Sequence, residues 1–470
     1  MTISMPILWV LLPLGISIIA ILLNQQRRIS GILTAITAFG LSILAVYFPE
    51  SMEFTLGPVE LVFEESLAIL GRQIVIRQTM LPFIALIFAA TGLWSLGGGI
   101  PGTPSTFRPI SLAITALLTA ALGVQPFLYA ALLIQTAVLV SIPMLSVESQ
   151  KENKGTIRYL IFQTLALPFI LLAGWLLTGV ETLPPDSSLV QQSMLVLGLG
   201  FAFLLGIFPF HSWIPMLSQE SHPKAVSYLL FFIPTTVIVF GLNFINRYAF
   251  IRNAVEFYET LRIIGSIMIL LGGVLTAVQS NLKRAMGFTI ISETGFSLLT
   301  IGLYTQGGLT WLFLLLPVRA LGLWLWSHAL SLIESHFGSL DLQNIKGVAR
   351  QYPILAGGLV VAQFSIAGLP LLASFPIKFS VLSSIIAIDQ SEGIWVFIGS
   401  LGLFVFTLRL IAIMTAISDN NPSEHWSIQE NRHEYIPIIF ISLVLITLGL
   451  FPNAFPSQVV NTLSSFLQLQ

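Results

Sequence analysis

The 470-residue chain contains no cysteine. Disulfides, cysteine-ligated zinc and cysteine-ligated iron–sulfur clusters are thereby excluded. Charge is almost as scarce. Lys and Arg number 20, Asp and Glu 21, and together they make up 9% of the chain, against about 25% in an ordinary soluble domain. A water-soluble protein of this length needs a polar coat that these residues cannot supply. A soluble enzyme, a nucleic-acid binder and a disordered chain are all ruled out on that ground. The net charge of -1 leaves no bulk field to attract a partner. Histidine is sparse too: His211, His222, His328, His336, His425 and His433 form no HxxxH pair. Their spacing points to no His-ligated metal or haem, and with no quinone, flavin or nicotinamide motif in the sequence no cofactor is expected.

Apolar residue is what the chain has in plenty, 55% of the total, with a mean hydropathy of +0.91. A membrane crossing takes about 20 mostly apolar residues. Fourteen stretches qualify: roughly 5–24, 29–48, 79–97, 107–124, 126–147, 156–181, 191–217, 222–246, 261–280, 284–304, 307–334, 352–384, 393–418 and 435–452. The first is not followed by a small-residue cleavage site, so it reads as a retained helix. The stretch 49–78 is too polar to cross, and its alternation around Ile74, Val75 and Ile76 suggests a short surface hairpin. Loops after odd-numbered spans carry twelve basic residues: Arg27, Arg28, Arg108, Lys151, Lys154, Arg158, Lys224, Lys283, Arg284, Lys346, Arg350 and Arg432. Loops after even-numbered spans carry five. By the positive-inside bias the odd loops face the cytoplasm and both termini face the other side.

Ionisable groups at bilayer depth are costly and usually functional. Glu293, Arg319, His328, Lys378 and Arg409 fall inside spans, and Gln135 places an amide in the middle of span five. Two spans are interrupted, span seven by Pro209 in GIFPFHSWIP and span twelve by Gly368 and Pro370 in SIAGLPLLASFPIK. Proline frees a backbone carbonyl, and broken helices at matching places in two halves mark ion sites in many transporters. Plain kinks are the alternative reading of both. Arg409, near the end of span thirteen, is expected to snorkel to the interface. His328, flanked by Trp324 and Trp326, reads as an interfacial, structural residue. Lys378, just past a break in an apolar run, reads as functional. The GLGFAFLLG stretch lies inside a span with no strand before it and is not a phosphate loop.

Five segments together resemble one family. They are Gly200–Pro215 (GFAFLLGIFPFHSWIP), Asn281–Gly302 (NLKRAMGFTIISETGFSLLTIG), Asp341–Pro353 (DLQNIKGVARQYP), Ala367–Lys378 (AGLPLLASFPIK) and Arg158–Leu167 (RYLIFQTLAL). In order and spacing they are similar to the antiporter-like membrane subunits of respiratory complex I and its photosynthetic relative, and to the large subunits of Mrp-type cation/proton antiporters. The resemblance implies an all-α polytopic membrane protein of about fourteen transmembrane helices. After an N-terminal region (1–106), spans four to eight (107–246) and nine to thirteen (261–418) would form two inverted five-helix repeats, broken at spans seven and twelve. A C-terminal span and tail (419–470) would follow, too short for the long lateral helix of the distal complex I subunit. Partners implied are other membrane subunits of a hetero-oligomeric complex, with protons or monovalent cations as the transported species. No nucleic acid is involved, and the chain has no catalytic site of its own.

The family's proton-carrying positions map unevenly onto this chain. Its span-five glutamate falls on Gln135, its span-seven lysine on Leu204 and its span-eight histidine near Phe231. In span eleven its histidine falls on Arg319 and its lysine on Leu323. Its span-twelve lysine survives as Lys378, while Glu293 stands where the family usually has a neutral glutamine. By the inverted repeat, Glu293 and Lys378 would be the second-half counterpart of the missing first-half pair; the alternative is a static bridge between Glu293 and Arg319. The pathway residues implied are Lys378, Glu293, Arg319, Gln135 and His328. The resemblance leaves three readings open: an ion-translocating subunit, a non-conducting structural or assembly subunit, and a stand-alone secondary transporter.

Overall fold

The computed structural model describes residues 2–49, 53–56, 59–69, 71–96, 100–145, 153–177, 188–417, 429–455 and 457–469. Lys151, parts of the 49–78 stretch, the end of the sixth apolar stretch (178–181) and 419–428 lie outside the described residues.

The chain is a helical bundle. Its helices are α1 (Leu12–Leu22), α2 (Arg27–Val46), α3 (Leu81–Ser95), α4 (Phe107–Gly123), α5 (Ala130–Leu145), α6 (Lys154–Leu177), α7 (Ser188–Leu205), α8 (Trp213–Glu220) and α9 (Pro223–Arg247). There follow α10 (Ala249–Arg252), α11 (Val255–Ala277), α12 (Leu282–Gly302), α13 (Gly308–Phe337), α14 (Val348–Gln351), α15 (Pro353–Ala367), α16 (Phe375–Ile388), α17 (Gln390–Thr415) and α18 (Arg432–Leu450). Among the described residues, 11 helical stretches are long and apolar enough to cross a membrane. Four shorter apolar helices accompany them: Ile7–Leu22, Phe107–Gly123, Pro353–Ala367 and Phe375–Ile388. The last two divide what reads in sequence as one long span, because the chain breaks between them.

Helix starts are fixed locally. The Asn281 side chain accepts from the backbone N–H groups of Lys283 and Arg284 at 3.0 and 3.2 Å, and Asp389 does the same for Ser391 and Glu392 at 2.8 and 3.3 Å. Each cap satisfies donors that the first helical turn leaves orphaned. Proline at the first turn of α9 and α15 costs no hydrogen bond there. Short strands form two three-stranded sheets. β1 (Thr2–Ser4) pairs parallel with β3 (Val59–Glu64), which pairs antiparallel with β2 (Glu53–Leu56). β4 (Ser66–Ile69) and β5 (Arg72–Val75) form a hairpin extended by β6 (Val124–Gln125).

Packing is tightest around α11, which lies between α12 and α17. A Cβ on Gly273 would sit 1.9 Å from the Gly399 carbonyl oxygen, and one on Gly272 would sit 2.7 Å from Phe288 O. Small residues let membrane helices approach to backbone contact, where dispersion and weak polar contacts replace the absent hydrophobic drive. α13 is the central post, packed by α3, α9, α12, α15, α16 and α18. The outer faces of α1, α2, α17 and α18 expose large apolar side chains such as Ile18, Ile36, Phe397 and Phe440, as a lipid-facing surface does.

Candidate functional site

Two features place a lysine inside the bundle. α15 stops at Gly368, whose φ of +85° suits a residue without a Cβ, and the chain runs irregularly to Phe375 before α16 resumes. The break leaves helix-end carbonyls without intrahelical donors. Lys378, in the first turn of α16, fills that gap: its Nζ donates to the Ile366 carbonyl. The same Nζ donates to Glu293 Oε1 on α12 at 2.5 Å and lies 4.1 Å from the centre of the Phe296 ring. Both ionic side chains are buried, at 6% and 4% exposure. The Ser374 hydroxyl, donating to Ser365 O, staples the break.

Arg319 joins this site from α13. It is 3% exposed and donates to the hydroxyls of Ser297 and Thr294, at 3.3 and 3.4 Å. Its Nε finds no acceptor. Glu293 therefore pairs with Lys378, and Arg319 lies beside the pair with neutral partners. The static Glu293–Arg319 bridge is not what the structure contains.

The mapped first-half positions hold neutral groups. Gln135 Nε2 donates to Thr164 Oγ1 at 2.9 Å. The Leu204 side chain is buried, and its carbonyl accepts from Gln163 Nε2 at 3.0 Å. Pro209 lies in the break between α7 and α8. Phe231 stacks on Trp94 at 5.7 Å. In the second half, Leu323 of α13 is fully buried. Gln135 is not brought to Lys378: they sit on different helix groups.

The sequence readings of His328, Lys224 and Lys283 need correction. His328 is not interfacial. It is 2% exposed, stacked on Trp324 at 4.6 Å, with neither ring nitrogen hydrogen-bonded. The tryptophans beside it are buried because α3, α9 and α13 meet there, and Trp324 Nε1 donates to Leu93 O at 2.8 Å. Lys224, assigned to a loop, is 1% exposed in the first turn of α9 and donates to Leu96 O at 2.9 Å, at the carbonyl end of α3. Lys283 is likewise drawn in, 2.5 Å from Glu334. Arg409 is exposed, in keeping with the expected snorkelling, and it donates to the Ala277 and Gln279 carbonyls at 3.2 and 3.0 Å, closing the end of α11.

Two groups escaped notice. Gln363 on α15 is fully buried with both amide atoms unpartnered; a glutamine in VVAQFSIA is the signal that was there. Glu392 pairs with Arg262 at 3.0 Å, joining α17 to α11. Outside the helices, burial and the nearby Lys224 and Lys283 push the His222 imidazole down to about 3. It stays neutral, and its Nδ1 accepts from the Lys224 N–H at 3.3 Å.

Comparison with known proteins agrees with this architecture. The family model described as NADH:quinone oxidoreductase/Mrp antiporter, TM matches residues 131–407. The "NADH-quinone oxidoreductase subunit N 2" of Thermodesulfovibrio yellowstonii is 29% identical over 260 residues, 54% of each chain. The subunit N of Polaromonas naphthalenivorans is 25% identical over 382 residues, 72% of this chain and 73% of that one. The chain thus spans about half the length of the first of these relatives and under three quarters of the second. Among solved structures, a chain of the archaeal membrane-bound sulfane sulfur reductase superposes with a TM-score of 0.80 at 15% identity, covering 99% of this chain and 98% of that one. A chain of Thermus thermophilus respiratory complex I gives 0.77 at 19%, covering 99% and 100%. One from the Mrp complex of Dietzia sp. DQ12-45-1b gives 0.78 at 16%, covering 98% and 97%. The protein is an integral, multi-pass membrane protein, and over more than half its length it belongs to the NADH:quinone oxidoreductase/Mrp antiporter transmembrane family.

Proposed function

We propose that the chain is an antiporter-like subunit of a multi-subunit membrane complex, and that its second half moves protons, or a monovalent cation, through the Glu293–Lys378 pair. The single observation that carries this reading is the pair itself: a buried carboxylate and ammonium 2.5 Å apart at a broken helix. Burying two charges in a membrane interior costs several kcal/mol per ion before their attraction is counted. An apolar pair would hold α12 against α16 without that cost. A break whose free carbonyl also accepts the lysine lets the ammonium change partners without leaving the site.

In this reading the chain crosses the membrane fourteen times, α15 and α16 forming one interrupted crossing. Spans four to eight and nine to thirteen are inverted repeats, with both termini on the non-cytoplasmic side. The two breaks, at Pro209 and at Gly368 and Pro370, favour that repeat. The partners are other membrane subunits, of a complex I type or alternatively an Mrp type. The subunit carries no redox site.

A second reading, a non-conducting structural subunit, draws on Gln135, Leu204 and Leu323, which replace chargeable positions with neutral ones. Gentle purification with identification of co-purifying subunits tests the assembly. Proton uptake by proteoliposomes holding the intact complex tests the transport. Lys378→Met is expected to abolish the part of the uptake that depends on this subunit. Full uptake in that variant refutes transport through the pair and leaves the structural reading.

A further inference from the structure

We propose that Arg319 is an exchangeable second cation for Glu293, so that the carboxylate alternates between Lys378 and Arg319 during turnover. The proposal rests on the reading of Glu293–Lys378 as the transport pair.

Four observations place it there. One carboxylate faces two cations, so the site is one positive charge in excess. The guanidinium is held only by two neutral hydroxyls at long range, 3.3 and 3.4 Å, and its Nε has no acceptor. A buried guanidinium with so few bonds is under-satisfied. Those hydroxyls belong to Thr294, next to Glu293 in the chain, and Ser297, one helical turn away, whose Oγ also donates to the Glu293 carbonyl at 3.2 Å. The guanidinium is therefore parked against the turn of α12 that carries the carboxylate. Lys378 in turn has a second acceptor, the Ile366 carbonyl, which holds it when Glu293 leaves.

The exchange balances as follows. With Glu293 on Lys378, the ammonium, guanidinium and carboxylate sum to +1. When the carboxylate swings to Arg319, the fixed guanidinium keeps its proton. Lys378 then loses its counter-ion, and an ammonium without one in low dielectric releases its proton. The lysine becomes a neutral amine, one proton departs to the transport path, and the remaining pair sums to zero. Proton return to the amine draws Glu293 back. Arg319 thus makes release a consequence of ion-pair exchange within the site.

Other charges are placed so as not to substitute. α15 carries no ionisable side chain, and α16 carries only Lys378. On α12, Lys283 is engaged by Glu334 at the helix start, and Arg284 lies beside it. On α17, Glu392 is held by Arg262 of α11, and Arg409 is at the far end. Lys224 of α9 and His328 of α13 lie where α3 meets those helices, about 13 Å along α13 from Arg319. On α18, Glu434 meets His336 at 3.2 Å.

The test is the pH dependence of transport in proteoliposomes holding the whole complex. Arg319→Gln removes the competitor and keeps hydrogen-bonding capacity. Its rate-versus-pH midpoint is expected to move upward by about one unit or more, and Arg319→Lys is expected to return it toward the wild type. Removing the parking place, Thr294→Val with Ser297→Ala, frees the guanidinium for Glu293 and is expected to move the midpoint downward. The double variant also serves if Arg319→Gln fails to assemble, because both hydroxyls otherwise bond within their own helix. Unmoved midpoints, or shifts of the same sign in both variants, overturn the exchange. Lys378→Met separates the failures: if it is silent while Arg319→Gln is unshifted, the exchange alone is wrong, and if it still transports, the reading beneath it is wrong.

Discussion

Removing either member of the Glu293–Lys378 pair is expected to destabilise the protein unequally, and the inequality follows from Arg319. Glu293→Gln leaves Lys378 at 6% and Arg319 at 3% exposure with no anion, so the lysine must give up its proton and the guanidinium, which keeps its own, stays buried and uncompensated. Breaking a buried pair in this way costs about 3–5 kcal/mol. Lys378→Met leaves a carboxylate, and that carboxylate has a second cation parked against its own helical turn. Once Arg319 takes it, the remaining loss is the Ile366 carbonyl without its donor, about 1–3 kcal/mol. The gap of about 2 kcal/mol is roughly 30-fold in the folded-to-unfolded ratio. Reversible unfolding of the purified protein in mixed micelles, ranked across both variants and Lys378→Met with Arg319→Gln, measures it. The double variant strands Glu293 and is expected to climb to the cost of Glu293→Gln. Equal losses in the two single variants, or a greater loss in Lys378→Met, refute the argument.

Gly368→Ala forces a side chain into the left-handed region and sets a Cβ 3.3 Å from Lys378 Cδ. It is expected to cost about 1–2 kcal/mol and to depress transport more than assembly, read by proteoliposome uptake beside complex yield. Gln135→Glu brings a carboxylate beside Thr164 with no cation at Leu204 to meet it. Lower complex yield with no gain in transport is expected, and partial recovery of yield when Leu204→Lys is added. His222 is neutral in the folded protein because its titration is pushed down to about 3. The unfolded chain binds its proton at about 6.5, so the folded state's advantage is present above that value and lost progressively as pH falls from about 6.5 to 3. His222→Asn keeps the acceptor at the start of α9 without a titration, and thermal stability measured across that range is expected to fall less steeply than in the wild type.

The long helices were legible because 20 apolar residues in sequence have few alternatives. The breaks were legible from Pro209, Gly368 and Pro370. The partnership of Glu293 with Lys378 was legible only as one of two options, since nothing in the sequence says which of two cations reaches a carboxylate first. The irregular chain after Gly368 decides it, by turning Lys378 inward onto Ile366 O. Reading failed where local composition misstates burial. Lys224 follows a polar SHP sequence and so reads as loop, but the carbonyl end of α3 draws it inside. His328 between tryptophans reads as interfacial, but α3 and α9 cover those rings. Depth in a multi-helix bundle is set by neighbours far off in sequence, and flanking residues do not encode it.

The distribution of buried polar groups bears on the proposed exchange. Around α3, α4 and α9 one buried polar network is built of neutral hydroxyls. The Thr91 and Thr115 hydroxyls lie 2.6 Å apart, Thr115 and Tyr228 2.7 Å apart, and Tyr228 donates to Ser111 O at 2.6 Å. Satisfied neutral networks rigidify a core without the desolvation cost of ions, and apolar replacements of buried charges, such as Leu204 and Leu323 relative to the family pattern, often stabilise by about 1–4 kcal/mol. α9 packs against both α12 and α13 and thereby flanks the two helices that carry Glu293 and Arg319. In the proposed exchange, this hydroxyl network offers Glu293, Lys378 and Arg319 no competing charge.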